Sequence, residues 1–472
     1  MNALIGIIVT GMFAVSITRA NAREAKCWVS SDAGERLSLK SQVSFGGGKA
    51  DFLVDESRTY QKIDGFGASF MEAGMICLNS LSEAKREEVL RALFDPQHGA
   101  GFNLMKTPIA GTDFMSAGPW FTYNDTPGDL EMKHFSIARD LAPDGVLSYI
   151  RHARRHGGFR LQATMDYPPD WMLMGAERDQ DVDSKHFDAL ARYYLRYLRE
   201  YEQQGVPIDF LSPFNEPGIY TKIPWWKIRD LIRDHVGPLF EREGVKTRLM
   251  MPEASDRRNA WHFQPVVMDD AAARRFIAVL PYHGYNDGGF RQIAALGARY
   301  PETPVWMTEV CHGYIVKTPR EFPLPHHDFA DGAHWGNIIF SDLEAGASAW
   351  IYWNMILDEK GGPWLVSPSH ANPEENIQHP LVIVNRSTGE VTYTGAYWHL
   401  AHFSRFVPPG SVRLDTRGTV EGVRCMVLRK PDGGFVAQWL NSGKQPATVR
   451  LGWRSESLEL TLPAVSITTC LW

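Results

Sequence analysis

Residues 208–216, IDFLSPFNE, form a short apolar run that ends on a glutamate. After a Pro-Gly turn the chain continues into WWKIRDLIRDHVGPLFEREG at 225–244, where apolar residues recur with a helical period. A short strand followed by an amphipathic helix is the repeating unit of a parallel sheet. This stretch therefore predicts one βα unit, with Glu216 at the carboxyl end of its strand.

Seven further runs of the same kind occur along the chain. They are QKIDGFGASF (61–70), FNLMKTPIA (102–110), FRLQATMD (159–166), RLMMPEAS (248–255), FIAVLPYHGY (276–285), PVWMTEVC (304–311) and ASAWIYWNM (347–355). Helical patterns lie between them at 82–94, 144–156 and 186–205. Eight strands alternating with helices predict a closed (β/α)8 barrel, placed here at residues 56–407.

The two flanks of this region predict a second, antiparallel domain. Residues 408–472 alternate apolar and polar positions and contain the turn signals PDGG and NSGK. The N-terminal piece 23–55 is too short to fold alone, so we expect it to complete the same sheet. The predicted fold class is thus α/β, a TIM barrel with an attached β-sandwich built from both chain ends.

Composition excludes several classes of protein. Of the 472 residues 44% are hydrophobic and 22% charged, as in an ordinary globular protein. The net charge is −6, or −7 if a leader containing Arg19 is removed, and there is no basic run. Nucleic acid is therefore not an expected partner.

Residues 1–22 contain an apolar run followed by Ala20-Asn21-Ala22, a small-residue cleavage site. This pattern predicts a signal peptide and a secreted or periplasmic protein, although no Lys or Arg precedes the apolar run. A short membrane anchor is the alternative, but the run is shorter than a spanning helix needs. No later segment predicts a stable membrane span.

The cysteines are five in number: Cys27, Cys77, Cys311, Cys425 and Cys470. Without a C-x-x-C spacing they define no zinc site. A bond between Cys27 and Cys470 requires that the chain ends meet, and the sequence leaves this pairing open. For Cys77 a buried free thiol is the favoured interpretation.

The spacing of two strand-ending glutamates agrees with the barrel. Glu309 ends the seventh run and lies 93 residues after Glu216, which corresponds to three βα units. Both side chains would then rise at the C-terminal rim, where barrel enzymes carry out their chemistry. Two facing carboxyl groups are typical of glycoside hydrolysis. We predict Glu216 as the general acid/base and Glu309 as the nucleophile, with carboxyl groups roughly 5 to 5.5 Å apart as in a retaining mechanism.

Other residues near the predicted strand ends are candidates for contact with a sugar. Tyr285, Trp353 and Trp171 have the aromatic surface for stacking, although core packing explains each equally well. Asp113 is placed to accept hydrogen bonds from hydroxyl groups, or to cap its loop. His283 and Asn354 are weaker candidates.

A group of polar residues in the 321–334 region raises the question of a metal. His326, His327, Asp328 and His334 match no ligand spacing of a helix or strand pair, so a solvated loop is the better interpretation. A metal-dependent hydrolase that uses these histidines is the alternative. We expect neither a catalytic metal nor another cofactor.

The chain resembles glycoside hydrolase family 30, which includes glucosylceramidases, endo-β-1,6-glucanases and related xylan- and galactan-cleaving enzymes. The resemblance rests on pieces spread over most of the chain: QKIDGFGASFMEA (61–73), FTYNDTPGDLEMKHFSI (121–137), LSPFNEP (211–217), WMTEVC (306–311), GASAWIYWNMILDEKGGPW (346–364), YWHLAHFSRFVPPGSVRL (397–414) and SITTCLW (466–472). It implies a barrel with a β-sandwich, retention of β-configuration and no catalytic metal. By position it gives Glu216 and Glu309 the roles above and places Asp113, Asn215, Tyr285 and Trp353 in the sugar pocket.

Two departures from the family pattern concern the glycone. Lys106 stands where glucosylceramidase-type relatives carry an arginine, which replaces a planar fork with a point charge. Asp166 and Tyr167 stand where relatives show Trp-Ser, so a stacking surface is exchanged for a carboxylate. Both positions would contact the sugar directly, and its identity is therefore left open.

The sequence thus predicts a retaining β-glycosidase similar to glucosylceramidases, acting on a carbohydrate or a glycolipid, with a role in carbohydrate or sphingolipid metabolism. An endo-β-1,6-glucanase or galactanase using the same glutamates is the alternative among enzymes. A non-catalytic carbohydrate-binding protein on this scaffold is the alternative outside them. Oligomeric state is not indicated.

Overall fold

The computed structural model describes residues 23–112, 114–116, 120–175, 180–315, 328–363, 365–366 and 376–472. The predicted signal peptide, Asp113, His326 and His327 lie outside the described residues.

The described strands fall into two large sheets and three small ones. In chain order they are β1 (Glu24–Ser31), β2 (Ser38–Leu39), β3 (Val43–Ser44), β4 (Phe52–Lys62), β5 (Gly65–Ser69), β6 (Leu104–Pro108), β7 (Phe114–Met115), β8 (Arg160–Thr164), β9 (Phe210–Ser212), β10 (Arg248–Leu249), β11 (Leu280–His283), β12 (Val305–Glu309), β13 (Gly313–Ile315), β14 (Ala347–Asn354), β15 (Ile356–Asp358), β16 (Leu365–Val366), β17 (Asn376–Gln378), β18 (Val382–Val384), β19 (Val391–Tyr393), β20 (Val412–Gly418), β21 (Val423–Arg429), β22 (Phe435–Asn441), β23 (Ala447–Trp453), β24 (Glu456–Leu462) and β25 (Ser466–Leu471).

The helices alternate along the chain with the strands of the large parallel sheet. They are α1 (Glu72–Asn79), α2 (Glu83–Phe94), α3 (Val146–Arg154), α4 (Phe187–Gln203), α5 (Trp225–Asp230), α6 (Gly237–Arg242), α7 (Arg257–Phe263), α8 (Pro265–Met268), α9 (Ala271–Arg274), α10 (Phe290–Arg299), α11 (Phe329–Glu344) and α12 (Gly395–Phe406). A π-helical segment, Leu231–Val236, joins α5 to α6. The four helical segments predicted from periodicity correspond to α2, α3, α4 and the α5–α6 pair.

Eight parallel strands form a closed ring. Their order is β10-β9-β8-β6-β5-β14-β12-β11. The two ends of this series meet through backbone hydrogen bonds, Ala278 N to Leu249 O at 2.8 Å and Met251 N to Val279 O at 3.0 Å. Each of the eight predicted runs contributes one ring strand, so the predicted barrel is confirmed.

The interior of the ring is packed with side chains. Leu104, Phe210, Met250, Val279, Trp306, Ala349 and Ile351 form one buried cluster there. Such layers make a TIM barrel a solid core rather than a pore, so the carboxyl edge of the strands is left for a site.

The second large sheet is built from both chain ends, as predicted. Its order is β2-β1-β25-β22-β21-β20-β4-β23-β24, with β3 paired to β1. The strand β4 runs through residues 52–62 between β20 and β23. A disulfide joins Cys27 to Cys470 across the β1–β25 pair, which settles the pairing that the sequence left open. Cys77, Cys311 and Cys425 are buried and form no disulfide within the described part of the chain.

The helix α12 connects the two units. Its first turn is capped by the Thr394 side chain, which accepts from Tyr397 N. The ring of His402 contacts the hydroxyl groups of Thr469 on β25 at 2.7 Å and Ser30 on β1 at 3.0 Å. The barrel and the sandwich therefore share buried polar contacts as well as apolar packing. Among the described residues, no helix has the length and apolar character needed to cross a membrane.

Candidate active site

Buried charged side chains converge at the carboxyl edge of the ring. Glu216 follows β9, His283 ends β11 and Glu309 ends β12. A register shift between Tyr282 and His283 pairs His283 with Glu309. Such an irregularity redirects side chains at a strand end, and here both point into the same space.

Glu216 and Glu309 face each other closely. One oxygen of each carboxyl group and one ring nitrogen of His283 all lie within 4.8 Å of one another. Glu216 is 5% and Glu309 4% exposed. The ring thus brings together the two residues that the sequence selected, 93 positions apart.

The backbone around Glu216 has an unusual conformation. Its φ is +44°, in the left-handed region that costs a non-glycine residue about 1–3 kcal/mol. The conformation is held by two hydrogen bonds to neighbouring strand ends, Asn215 N to Met165 O at 2.7 Å and Glu216 N to Glu253 O at 2.9 Å. Strain that the surroundings maintain in this way is typical of functional sites.

Two donors hold the Glu309 carboxylate. Lys106 Nζ donates to Oε2 at 2.8 Å and the Tyr285 hydroxyl donates to Oε1 at 3.0 Å. Burial, and then the nearby Cys311 and Glu309, raise the pKa of Tyr285 well above its ordinary value, so the phenol keeps its proton and remains a donor. Burial disfavours the Lys106 ammonium, but the carboxylates of Glu253 and Glu309 outweigh this and raise its pKa.

His283 bridges two carboxyl groups. Its Nδ1 lies 2.6 Å from Glu216 Oε1 and its Nε2 lies 2.9 Å from Glu253 Oε2. Burial lowers the pKa of His283, but Glu309, Glu216 and the two hydrogen bonds more than compensate and raise it to about 10. At neutral pH the ring is therefore an imidazolium that donates from both nitrogens.

Glu253 is a central residue that the sequence interpretation missed. It is fully buried and accepts hydrogen bonds from Lys106, from Gln162 and from His283. Burial raises the pKa of Glu253, but the Lys106 charge and His283 offset this and lower it. The available signal was a weaker form of the one for Glu216, a glutamate near the end of the predicted run at 248–255.

Of the other predicted residues, Asn215 and Trp353 lie beside Lys106, and Asn354 lies beside Cys311. Asn215 accepts from Lys106 Nζ at 3.3 Å, and the Trp353 ring centroid lies 5.1 Å from the same atom. Asn354 Nδ2 donates to Gln378 Oε1 at 3.0 Å and contacts Cys311 Sγ at 3.6 Å.

Two predicted residues belong to the loop after β8. Asp166 is buried, and Thr221 Oγ1 donates to its carbonyl at 3.0 Å. Trp171 donates its indole N–H to Asn124 O at 2.9 Å and packs edge-on against His186. Sugar contact by either residue stays a prediction.

The Glu216, His283 and Glu309 atoms are spaced closely enough to surround a cation. However, both nitrogens of His283 already contact carboxylates and its pKa is raised to about 10. A metal ligand must be a neutral imidazole, so this arrangement fits a hydrogen-bonded cluster better than a metal site.

Of the histidines considered from the sequence as metal ligands, His334 belongs to the described residues. The His334 ring lies 5.0 Å from that of His312, and its Nε2 is 3.9 Å from Asp287 Oδ1. Within the described part of the chain, these side chains do not form a group with ligand atoms as close together as those of the glutamate pair.

A closed parallel ring with paired carboxyl groups at its carboxyl edge is the architecture of barrel glycoside hydrolases. Comparison with known families agrees. The model of the glycosyl hydrolase family 30 TIM-barrel domain matches residues 63–407, and that of the family 30 beta sandwich domain matches residues 410–470. The chain belongs to glycosyl hydrolase family 30 and is a glycosidase, with carbohydrate or glycolipid substrates.

Individual relatives are distant but extend over most of the chain. The lysosomal acid glucosylceramidase of Mus musculus is 26% identical over 89% of this chain and 82% of its own length. The endo-1,6-beta-D-glucanase of Neurospora crassa is 25% identical over 79% and 77%. The crystal structure of SrfJ from Salmonella typhimurium has a TM-score of 0.85 at 22% identity, covering 95% of this chain and 99% of that one.

Proposed function

We propose that the protein hydrolyses a β-linked glucosyl or closely related unit with retention of configuration. The observation that carries this proposal is the approach of the Glu216 and Glu309 oxygens to within 4.8 Å. Retaining enzymes have carboxyl groups about 5–5.5 Å apart, whereas inverting enzymes separate them by roughly 6.5–9.5 Å to admit a water molecule.

The contacts of the two residues support different roles. Glu309 receives donors on both oxygens, from Lys106 and Tyr285, which hold the carboxylate in one orientation for attack on the anomeric carbon. Glu216 then gives a proton to the leaving oxygen. In the second step Glu216 takes a proton from water, which displaces Glu309 from the sugar.

The charge of the cluster is compatible with this assignment. Lys106 and His283 carry two positive charges, and three carboxyl groups, those of Glu216, Glu253 and Glu309, contact them. With Glu216 protonated the cluster is neutral, which is the form that general acid catalysis requires before the first step.

The mechanism is tested by following the anomer that forms first. NMR of a hydrolysed aryl β-glucoside should show the β-anomer before mutarotation, and an initial α-anomer would exclude retention. A 2-deoxy-2-fluoro glycoside should label the peptide that contains Glu309.

The role of Glu309 is also tested by mutation. Glu309→Gln should lower kcat by about 10³-fold or more and still bind sugar. Full activity of this variant would remove Glu309 from the mechanism and leave the carbohydrate-binding alternative without support.

Support for a glycolipid substrate over a glucan comes from exposed apolar side chains on the segments that follow β8 and β9, at the carboxyl edge of the ring. Ile219, three residues after Glu216, is 48% exposed, Met174 is 64% exposed and Trp226 is 51% exposed. Lys227 connects the last two, since its Nζ lies 3.6 Å from Met174 Sδ and 5.9 Å from the Trp226 ring. Alkyl and thioether groups offer a surface to an acyl chain but no hydrogen bonds to a second sugar.

The test compares a lipid glucoside, β-1,6-glucan and an aryl glucoside. Ile219→Ser combined with Met174→Ser should raise KM for the lipid glucoside about tenfold, equivalent to about 1.4 kcal/mol, and leave the aryl glucoside unchanged, because each partly covered side chain supplies only a fraction of the about 1.5–3 kcal/mol of full apolar burial. Leu53→Ser, at a 60% exposed position on β4, is the matched control. Faster cleavage of β-1,6-glucan than of the lipid glucoside would favour the endo-glucanase alternative.

We further infer export to an oxidising compartment. The Cys27–Cys470 disulfide supports it, because such bonds persist outside the reducing cytosol. N-terminal sequencing of the mature protein should begin after residue 22, and a retained N-terminus would contradict the proposed leader.

A further inference from the structure

A buried arginine behind the site has no part in the mechanism above. Arg257 is the first residue of α7 and its side chain is fully buried. Its described hydrogen-bond partners do not include Glu216 or Glu309. Burial of a guanidinium is costly unless its donors are used in hydrogen bonds.

Four hydrogen bonds occupy the guanidinium. Nε and Nη2 donate to the two oxygens of Asp342, both at 2.8 Å, as a bidentate pair. Nη1 donates to two backbone carbonyls, Gly284 O at 2.8 Å and Asn286 O at 2.7 Å. These two carbonyls flank Tyr285, so Arg257 binds the chain on both sides of the residue that donates to Glu309.

Asp342 is itself fixed from two further directions. The Tyr282 hydroxyl donates to its Oδ1 at 2.8 Å, and Trp350 Nε1 donates to its Oδ2 at 3.1 Å. Asp342 lies on α11, Tyr282 on β11 and Trp350 on β14. The guanidinium is therefore anchored to a helix and two ring strands rather than to a single mobile side chain.

The loop that it holds has little freedom at its start. Gly284 N donates to Glu309 O at 2.7 Å, and a Cβ on Gly284 would lie 2.9 Å from Val310 Cβ. Asn286 has a φ of +73°, in the left-handed region. The backbone thus passes tightly over the end of β12, and the two carbonyl contacts decide where Tyr285 points.

We propose that Arg257 and Asp342 act as a positioning pair, which fixes the backbone on both sides of Tyr285 and so aims its hydroxyl at Glu309. This inference rests on the proposed role of Glu309 as nucleophile. The pair does not touch the reacting atoms. Its contribution passes through Tyr285, whose hydrogen bond sets the orientation of the attacking carboxylate.

The alternative is a buried ion pair that contributes to stability alone. A stability role lowers the amount of folded protein but leaves kcat per folded site unchanged. A positioning role lowers kcat per site, and this loss depends on the Tyr285 hydroxyl being present. A double-mutant cycle between Arg257 and Tyr285 separates the two.

The experiment uses the full chain and an aryl β-glucoside, with active sites counted by fluoro-sugar labelling. Arg257→Lys should lower kcat per site about tenfold with KM within about twofold, and Tyr285→Phe should lower it at least as much. The double variant should be no slower than Tyr285→Phe alone. Arg299→Lys, in an exposed pair with Asp269, is the matched control and should behave as the wild type.

Independent, multiplicative losses, or an unchanged kcat per site in Arg257→Lys, would overturn the inference. If Arg257→Lys does not fold, Asp342→Asn, which keeps the side-chain shape and removes its charge, repeats the cycle with Tyr285→Phe. Failure of the proposed function is read separately, from full activity of Glu309→Gln, because the cycle compares variants that all retain Glu309.

Discussion

Lys106 shows how one side chain organises the site at the scale of a single residue. It contacts Glu253, Glu309 and Asn215, and its ammonium lies near the Trp353 ring. An arginine at this position, which the family resemblance implies for glucosylceramidase-type relatives, would bind carboxylates with a planar fork in a different geometry. In this chain a compact ammonium lies between two buried carboxylates. The Lys106 side chain is itself fully buried.

Removing this charge should damage both activity and stability. Lys106→Met leaves Glu253 and Glu309 buried without their shared cation, so we expect the free energy of unfolding to fall by about 3–5 kcal/mol. Denaturant titration at pH 7 measures the fall, and kcat should drop as well because Glu309 loses a donor. Lys106→Arg keeps the charge and is the control. Equal stability of Lys106→Met and the wild type would contradict the role of the charge.

Deprotonation of His283 at alkaline pH should lower the free energy of unfolding. Its pKa in the folded protein is raised to about 10, above the value of about 6.5 in an unfolded chain. The native state therefore holds the proton more tightly, and this stabilisation is complete below pH 6.5 and is lost as the pH rises towards 10. The stability advantage of the wild type over His283→Gln should shrink over that range. Urea midpoints from pH 6 to 9.5 measure it, and an advantage that grows with pH would contradict the assignment.

At this scale, a sequence identifies residues that stand at the ends of strands but not their mutual contacts. Glu216 and Glu309 could be predicted because apolar runs end on them. Glu253 lies near the end of a run as well, yet the residue that makes it central is Lys106, 147 positions earlier. Arg257 reads as an ordinary charged residue at a helix start, since only the folded loop brings Gly284 and Asn286 to it.

The elements of the ring followed from hydrophobic patterning, because strands buried on both faces are short apolar runs. The pattern does not give their lengths. The fifth strand of the ring, β10, contains only two residues. The ring closes beside it through backbone hydrogen bonds of Met251, Ala278 and Val279, which lie just outside the strand bounds. Helix α12 is not among the predicted helices, and the burial of its two histidines, His399 and His402, follows from its packing against α11 and β25.

These histidines should weaken the molecule in acid. Burial lowers the pKa of His399 to about 4, below the unfolded value of about 6.5, so the native state resists protonation. Stability contributed by the neutral ring is present above pH 6.5 and is lost as the pH falls towards 4, by at most about 1.4 kcal/mol per pH unit. His399→Gln should flatten this slope, measured by urea unfolding between pH 4 and 7.

The comparison has to be made as a difference between the two proteins. Asp140 is buried and its pKa is raised to about 6, which has the opposite pH dependence over part of the same range. This contribution is common to the wild type and His399→Gln and cancels in the difference. A slope that is the same in both proteins would show that His399 does not titrate with unfolding.

At the scale of the whole molecule, the chain ends are tied together. The Cys27–Cys470 bond spans 443 residues and joins adjacent strands of the sandwich. Replacing both cysteines by serine should lower the free energy of unfolding by about 2–5 kcal/mol, because the unfolded chain gains freedom. The aryl glucosidase kcat should not change, since neither residue lies near the ring edge. Denaturant midpoints with and without reductant test this, and a wild-type midpoint insensitive to reduction would contradict it.

The sandwich also fixes the order in which the molecule can be completed during synthesis. Strands β1 and β4 emerge from the ribosome first, but their neighbours β25, β20 and β23 are translated last. In a nascent chain, residues 24–62 therefore lack their partner strands β20, β23 and β25 while the barrel is being synthesised. A chaperone that shields this early segment would be needed most when translation is slow, and a polypeptide released before residue 412 would be an aggregation hazard even with a finished barrel.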